Sequence, residues 1–325
     1  MIPCSLITGA AGFLGANLAY RLLVEGLPTH LLVQPGSDLW RLKGCGSATL
    51  HELDLSVADD LESLIRKIKP DWIFHLAAHG AYSHQTDLIR MIGTNLSGTA
   101  SLLEACRLTG FSAFVQAGSS SEYGYQDHPP SETERPEPNS PYAVTKLAAT
   151  TYSRYLAGKY RLPVRILRLY SIYGPYEEPT RLMPTLVVRA LEGHLPPLVN
   201  PDIARDFVYV DDASEAFWQV ARSTDLSPGE ILNVGSGRQT TMHELVALAC
   251  ELFRITEKPC WGSMADRGWD TTCWVSDPRK ITNLLPWKAR TSLRDGLLNF
   301  ADWFRANPDQ QLFYTGYSRI PPPKW

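Results

Sequence analysis

The stretch Thr8-Gly9-Ala10-Ala11-Gly12-Phe13-Leu14-Gly15 decides the fold of this chain of 325 residues. It follows a short apolar run that predicts a strand, opens the amphipathic pattern of a helix, and spaces its glycines as GxxGxxG. Glycine lets the backbone approach a pyrophosphate, and a helix N-terminus presents free N–H groups and a partial positive charge to it. A tight structural turn is the alternative, but the flanking strand and helix favour a dinucleotide-binding loop.

Outward from this loop, short β-rich runs alternate with helical patterns as far as Leu169. The predicted strands are Cys4–Thr8, His30–Gln34, Thr49–Leu53, Trp72–Leu76, Ala113–Gly118 and Val164–Leu169. The intervening patterns, such as Phe13–Leu27 and Val57–Ile68, keep apolar residues three and four apart, as a helix packed on a sheet requires. The alternation predicts an α/β fold with a Rossmann-like, doubly wound parallel sheet.

After Tyr170 the pattern changes, because proline and glycine interrupt the chain more often. Shorter helices are expected at 184–192 and 242–253, and the tail 320–325 is expected to fray. We expect residues 1–170 to form a dinucleotide-binding domain, to which parts of 205–240 return. Residues 171–325 are expected to form mainly a smaller, interleaved C-terminal substrate lobe.

The end of the second strand leaves the cofactor preference open. Gln34 replaces the acidic residue expected to bind the ribose, which removes a repulsion against a 2′-phosphate. Ser37 or Arg41 could contact such a phosphate, so we expect a modest preference for NADP(H) over NAD(H), although Arg41 could equally be a solvated surface arginine. After the third strand, Asp54, followed by Leu55, is placed to bond the adenine amino group or to serve as an ordinary turn or cap residue.

Tyr142 and Lys146 are four residues apart in a helical pattern, which puts both side chains on one face. A nearby ammonium favours the phenolate and is expected to lower the phenol pKa from about 10 toward the range useful for proton transfer. Ser119 stands at the carboxyl end of the preceding strand, where ligands of open α/β sheets bind. We therefore predict a catalytic group of Ser119, Tyr142 and Lys146, against the alternative of a surface Tyr/Lys pair beside a serine-rich turn.

With these motifs in view, nearly the whole chain resembles the extended short-chain dehydrogenase/reductase family, in its NAD-dependent epimerase/dehydratase group of nucleotide-sugar enzymes. The segment from His75 to Ala78 is similar to the family's cofactor-lining segment, and the family implies that Asn95 shapes the site. The resemblance also implies a homodimer. The cofactor site is expected to comprise Gly9, Ala11, Gly12, Phe13, Leu14, Gly15, Gln34, Arg41, Asp54, Leu55, Leu76, Ala77, Ala78, Asn95, Tyr142 and Lys146.

The substrate side of the resemblance rests on motifs further along the chain. Arg168–Pro175 looks like the family's RxxNxYGP segment, but Ser171 stands where Asn is usual, which puts one sugar or phosphate contact in question. By resemblance, Arg205 and Arg267 grip a diphosphate, a task that suits planar, permanently charged guanidinium groups. The residues expected to contact a nucleoside-diphosphate sugar are His79, Ser120, Ser121, Ser171, Arg205 and Arg267.

The residues directly after Ser119 indicate which reactions of the family this chain can catalyse. Family members that dehydrate the sugar carry an Asp-Glu pair after the catalytic hydroxyl residue, and this chain has Ser120 and Ser121 there. A 4,6-dehydratase is therefore disfavoured. We expect a 4-ketoreductase acting on a 4-keto-6-deoxy nucleotide sugar, with a 4-epimerase as the alternative. A catalytically idle NAD(P)-binding regulator is disfavoured because Ser119, Tyr142 and Lys146 are all present.

Composition excludes several other classes of protein. The net charge of −3 with scattered basic residues disfavours nucleic-acid binding. The six cysteines are far apart and form no CxxC pair, which disfavours a metal site or a disulfide framework and suggests a reducing, cytoplasmic location. No stretch reaches about 18 consecutive apolar residues, so no membrane segment is expected.

Overall fold

The computed structural model describes residues 2–57, 60–82, 84–264 and 271–318. Its strands are β1 (Ser5–Thr8), β2 (Thr29–Val33), β3 (Thr49–Glu52), β4 (Trp72–His75), β5 (Ala113–Ser119), β6 (Val164–Leu169), β7 (Ser171–Tyr173), β8 (Ala204–Arg205), β9 (Phe207–Tyr209), β10 (Glu230–Val234) and β11 (Thr240–Thr241). Its α-helices are α1 (Phe13–Val24), α2 (Leu61–Ile68), α3 (Leu88–Met91), α4 (Thr99–Thr109), α5 (Pro141–Tyr160), α6 (Leu182–Leu191), α7 (Val210–Arg222), α8 (Met242–Phe253), α9 (Arg279–Leu284), α10 (Leu293–Ala306) and α11 (Pro308–Ser318). A π-helix, Ile92–Gly98, joins α3 to α4, and Trp40–Leu42 and Ser120–Tyr123 are 3₁₀ turns.

A parallel sheet of seven strands, in the order β3-β2-β1-β4-β5-β6-β10, forms the centre of the fold. The Rossmann-like fold class and the six predicted strands are confirmed, and no strand bound differs from its prediction by more than one residue. The seventh strand, β10, comes from the stretch 205–240 and pairs with β6 at one edge. The strand order reverses between β1 and β4, so a crevice opens outside the carboxyl ends of these neighbours.

Both faces of the sheet are covered by helices, which is why its strands read as nearly continuous apolar runs. On one face, α1 and α7 enclose a cluster of buried side chains that includes Ile7 and Phe74 of the sheet and Phe217 of α7. On the other face, α2, α4 and α5 enclose a second cluster that includes Leu6 and Phe114. The burial of these side chains, each contributing about 1.5–3 kcal/mol, fixes the strand ends on which the site is built.

The helices α6, α8, α10 and α11 enclose a separate core, which contains Leu186, Phe300, Phe304 and Tyr314. Two small sheets, β7 with β9 and β8 with β11, lie in the same C-terminal half of the chain. The helices expected at 184–192 and 242–253 correspond to α6 and α8.

Three helices have bounds that differ from the predicted ones, and α6 is one of them, since it spans Leu182–Leu191. Helix α1 ends at Val24 instead of Leu27, because Gly26 takes a φ of +74° and turns the chain toward β2. Helix α2 begins at Leu61 instead of Val57. The tail 320–325 lies outside the described residues. In the described part of the chain, no helix has the length and apolar character that crossing a membrane would require.

Candidate functional site

The glycine loop between β1 and α1 has no room for side chains at two of its positions. Gly9 has a φ of +68°, and a Cβ there would lie 2.6 Å from the backbone nitrogen of Ala77. A Cβ on Gly15 would collide with the carbonyl oxygen of Gly9. Gly12 is the N-cap of α1 and has no side-chain cap, so the N–H groups of the first turn remain available to an anion. This backbone cradle fits the pyrophosphate of a dinucleotide.

A buried hydrogen-bond chain holds the end of β4 against this loop. Thr99 Oγ1 donates to the carbonyl of Asn95 at 2.6 Å, so it accepts from His75 Nε2, 2.8 Å away. His75 Nδ1 therefore accepts from Thr8 Oγ1 at 2.7 Å, which fixes the neutral tautomer. Burial lowers the pKa of His75 to about 3, so the ring stays uncharged. Thr8 Oγ1 also accepts from the Ala77 N–H at 3.3 Å, which orients the segment from Leu76 to Ala78.

Asn95 lies in the π-helix and connects the loop after β4 to helix α5. Its Oδ1 accepts from the His79 N–H at 2.8 Å, and its Nδ2 donates to the His79 carbonyl at 2.8 Å and to Thr145 Oγ1 at 2.9 Å. Thr145 directly precedes Lys146 in α5. Because both amide hydrogens of Asn95 are used within the protein, this side chain shapes the site through its neighbours.

The predicted catalytic residues meet where β5 faces α5. Ser119 Oγ lies 2.7 Å from Ser121 Oγ, and a hydrogen bond joins the Ser119 and Tyr142 side chains. Lys146 Nζ donates to the Ala117 carbonyl at 2.6 Å. The strand end and the first turns of the helix therefore bring Ser119, Tyr142 and Lys146 to one place.

The expected lowering of the Tyr142 pKa is wrong for this geometry. Burial raises the pKa of Tyr142 to about 12, and the hydrogen bond from Ser119 opposes this shift only in part. Burial likewise lowers the pKa of Lys146 to about 8, although the negative charge of Glu122 opposes it. The dominant cause is desolvation, which favours the neutral form of each group.

Glu122, which the sequence interpretation left aside, organises the back of this site. Its side chain is fully buried, and its Oε1 accepts from the Ser119 N–H at 2.9 Å and from Thr150 Oγ1 at 3.1 Å. Its Oε2 pairs with Arg168 Nε at 2.9 Å, and the Arg168 guanidinium lies 4.3 Å from the centre of the Tyr123 ring. Ser119 and Glu122 form a capping box, and their S-x-x-E spacing was a signal that could have identified it.

The residues at the ends of β2 and β3 contact one another. Gln34 Nε2 donates to Asp54 Oδ2 at 2.8 Å, and Asp54 Oδ1 accepts from the backbone and the hydroxyl of Ser56. These bonds lower the Asp54 pKa against the opposing effect of burial. Leu55 is buried in the core beside α4.

Neither interpretation of Arg41 fits the structure. Its side chain is 9% exposed, so it is not a solvated surface arginine. Its Nε donates to the Tyr176 carbonyl at 2.7 Å, its Nη2 pairs with Glu178 at 3.1 Å and its Nη1 donates to the Ala11 carbonyl at 3.4 Å, so all three guanidinium nitrogens are bonded within the protein.

Three of the expected substrate residues, Ser120, Ser171 and Arg205, lie at or near a pocket that Tyr170 and Trp274 also line. Ser120 lines this small open pocket together with Tyr170 and Trp274. The Tyr170 hydroxyl is buried and has no hydrogen-bond partner among the described residues, so it can serve a ligand. The Arg205 guanidinium lies 5.7 Å from the centre of the Trp274 ring. Ser171 begins β7, beside the pocket.

His79 and Arg181 are two further residues near the candidate site. The backbone of His79 is held by Asn95, and burial lowers the pKa of its ring. Arg267 lies outside the described residues. Arg181, which the sequence interpretation missed, immediately precedes α6, and its positive charge acts to lower the Tyr142 pKa. No local motif singles it out, because its proximity to Tyr142 depends on tertiary contacts.

Comparisons with known proteins agree with this geometry. The model of the NAD dependent epimerase/dehydratase family matches residues 5–235. The uncharacterized UDP-glucose epimerase YtcB of Bacillus subtilis (strain 168) is 31% identical over 311 residues, which cover 90% of this chain and 95% of the relative. A trifunctional UDP-glucose 4,6-dehydratase/UDP-4-keto-6-deoxy-D-glucose 3,5-epimerase/UDP-4-keto-L-rhamnose-reductase of Arabidopsis thaliana, RHM2, is 28% identical over 94% of this chain. The chain spans only 47% of that plant protein's length.

Two solved structures share the whole architecture. The UDP-glucose 4-epimerase of Thermotoga maritima, determined with UDP-glucose, superposes with a TM-score of 0.84 and 26% identity over 94% of this chain and 99% of that one. MoeE5, in complex with UDP-glucuronic acid and NAD, gives a TM-score of 0.80 and 32% identity over 93% of this chain and 99% of its own.

Proposed function

Because the chain belongs to the NAD dependent epimerase/dehydratase family, we propose that it is an NAD-dependent 4-epimerase of a nucleoside-diphosphate sugar. The observation that carries this proposal is the meeting of Ser119, Tyr142 and Lys146 beside the glycine loop, where the described residues after Ser119 supply no second acid–base pair. The sequence interpretation favoured a 4-ketoreductase. The epimerase is now preferred because solved neighbours of the same architecture include a UDP-glucose 4-epimerase.

NAD is the proposed cofactor, and the expected preference for NADP(H) finds no support. MoeE5 was solved with NAD. The guanidinium of Arg41, the residue expected to contact a 2′-phosphate, is bonded to Tyr176 and Glu178 instead. Since Gln34 Nε2 is held by Asp54, Gln34 Oε1 is the atom that can accept a hydrogen bond from a ribose hydroxyl. When bound on the glycine loop, the nicotinamide supplies a reversible hydride acceptor.

The side chains of this protein perform the proton chemistry. Ser119 hydrogen-bonds the C4 oxygen of the sugar, and Tyr142 removes the proton from that hydroxyl as C4 is oxidised. After the 4-keto sugar has rotated within the site so that its opposite face meets the cofactor, Tyr142 returns the proton to the same oxygen as C4 is reduced. Protonated Lys146 stabilises the phenolate, which burial otherwise disfavours. Arg205 and Arg267 are proposed to hold the diphosphate.

A dehydratase needs an acid and a base beside C5 and C6 of the sugar, and the described residues that directly follow Ser119 do not supply them. Ser121 is bonded to Ser119, and Ser120 lines the neighbouring pocket. Glu122 is the carboxylate that acts on the Tyr142 pKa, but it is fully buried and bonded to Ser119, Thr150 and Arg168. It therefore cannot reach a substrate carbon.

The second candidate is a 4-ketoreductase, because the same catalytic residues would serve it and the name of the plant relative includes such an activity. The test is to denature the purified protein and identify the released nucleotide by mass spectrometry. In parallel, UDP-glucose is incubated with the enzyme without added cofactor, and the C4 epimer is sought by NMR. Retained NAD with epimer formation supports the epimerase. Empty protein that oxidises a reduced nicotinamide cofactor once per 4-keto sugar supports the reductase.

We also propose that the chain forms a homodimer. Exposed apolar side chains recur on the neighbouring segments from α3 to α5, among them Ile89, Leu108, Val144 and Tyr155. A second copy of this chain, packed across these helices, would cover such a patch.

A further inference from the structure

Arg41 connects the glycine loop to the C-terminal lobe. Its Nη1 donates to the carbonyl of Ala11, in the middle of the loop, at 3.4 Å. Its other contacts, with the Tyr176 carbonyl and the Glu178 carboxylate, lie in the segment that follows β7. One buried guanidinium therefore joins the glycine loop to a residue that lies 135 positions after Arg41 in the chain.

An aromatic cluster fixes the position of this guanidinium. Arg41 stacks on Trp40, with 4.2 Å between the guanidinium carbon and the ring centre. Trp40 in turn packs against Phe313 and Tyr314 of α11, at ring distances of 5.1 and 6.0 Å. The same turn is bonded to α1, because the Tyr20 hydroxyl donates to the Arg41 carbonyl at 3.0 Å. Arg41 is thus positioned by α1 on one side and by the C-terminal helix on the other.

We propose that Arg41 is a positioning residue that holds the glycine loop in its nucleotide-binding conformation from the substrate lobe, so that cofactor affinity depends on contacts made by that lobe. The inference rests on the proposed NAD binding, but not on which reaction the enzyme catalyses. The Ala11 carbonyl faces Arg41, and fixing this peptide limits the freedom of the turn that leads into α1. A loop held in this way loses less conformational entropy when a pyrophosphate binds.

The proposal differs from a 2′-phosphate contact in a measurable way. The Ala11 peptide supports the pyrophosphate site, which NAD and NADP share. Loss of Arg41 should therefore weaken both dinucleotides by the same factor, of about tenfold, as expected when a charge-assisted hydrogen bond that supports the site is lost. A phosphate ligand would instead affect NADP alone.

The experiment measures the Kd of NAD⁺ and NADP⁺ by titration calorimetry for the wild type and for Arg41→Ala, Arg41→Lys and Glu178→Gln, together with the Tm of each nucleotide-free protein. Arg41→Lys keeps the charge but cannot span the acceptors at once, so most of the loss should remain. Glu178→Gln keeps an acceptor for Arg41 and should give a smaller loss. Arg66→Ala is the matched control, because Arg66 pairs with Glu62 on the exposed face of α2.

The proposal is supported if Arg41→Ala and Arg41→Lys weaken both dinucleotides equally while Arg66→Ala does not. A selective loss of NADP⁺ affinity overturns it in favour of a phosphate contact. A lower Tm with unchanged Kd values overturns it in favour of a purely structural role. If Arg41→Ala does not fold, Arg41→Lys and Glu178→Gln decide between these outcomes. If the wild type binds neither dinucleotide, the proposed function fails as well, whereas normal binding by the Arg41 variants refutes this inference alone.

Discussion

Replacing Glu122 by glutamine removes one negative charge from behind the catalytic residues while it keeps the size of the side chain. The carboxylate accepts hydrogen bonds from Ser119, Thr150 and Arg168. An amide has a single acceptor oxygen, so it cannot serve all three donors. Arg168, whose side chain is 2% exposed, would then keep a buried charge without its partner.

The loss in stability can be sized from this burial. Removing one partner of a buried ion pair costs about 3–5 kcal/mol, because the remaining charge is uncompensated. We expect Glu122→Gln to lower the free energy of unfolding by about that amount, which is a large part of the roughly 5–15 kcal/mol of a typical protein. The double variant Glu122→Gln/Arg168→Met should recover part of the loss, since it leaves no unpaired charge.

The same change should move the pH dependence of turnover. Glu122 raises the pKa of both Tyr142 and Lys146, so its removal lowers both. Lys146, with a pKa of about 8, then loses its proton at a lower pH than in the wild type. The fall in turnover at alkaline pH should therefore begin at a lower pH than in the wild type. Neither side of the pH profile should move to a higher pH.

Denaturation in guanidinium chloride measures the free energy of unfolding. The rate of C4 epimerisation, measured from neutral to alkaline pH, gives the pH dependence of turnover. Glu104→Gln is the matched control, because Glu104 pairs with Arg107 on the partly exposed surface of α4, where an ion pair contributes about 0–1 kcal/mol. A stability loss for Glu122→Gln no larger than that of the control, or an unshifted alkaline limb, would refute the reasoning.

Other predictions test the remaining assignments. Tyr142→Phe should lower kcat by about a hundredfold or more with an unchanged Tm, and near-normal turnover would remove Tyr142 from the mechanism. Arg205→Ala should weaken UDP binding by about ten- to a hundredfold in calorimetry and spare NAD⁺; equal UDP affinity would contradict the diphosphate contact. Gln34→Asp should raise the ratio of NAD⁺ to NADP⁺ affinity by about tenfold or more through charge repulsion, and a constant ratio would place Gln34 away from the ribose. Tyr155→Glu should give a monomer in light scattering, whereas an unchanged mass would exclude α5 from a dimer interface.

Local patterns in the sequence were enough to predict much of the fold. The six strands from β1 to β6 could be predicted because a buried parallel strand reads as a short apolar run between helical patterns. The glycine loop could be predicted because its requirements belong to the backbone of the loop itself, as the φ of Gly9 illustrates. The common face of Tyr142 and Lys146 follows from the helical repeat, which needs no knowledge of the rest of the chain.

Tertiary structure alone decided the features that depend on distant partners. Arg41 looked like a surface or phosphate-binding residue because Tyr176 and Glu178, its partners, lie more than 130 residues further along the chain. The Tyr142 pKa was expected to fall because the lysine was visible in the sequence, whereas the burial that raises it is the combined effect of many segments. The capping motif of Glu122 was visible in the sequence. Its ion pair with Arg168 was not, because the two residues are brought together only by the fold. Helical spacing and backbone freedom are local properties, but desolvation and charge pairing depend on which distant atoms surround a group, and the sequence by itself determines these only through the complete fold.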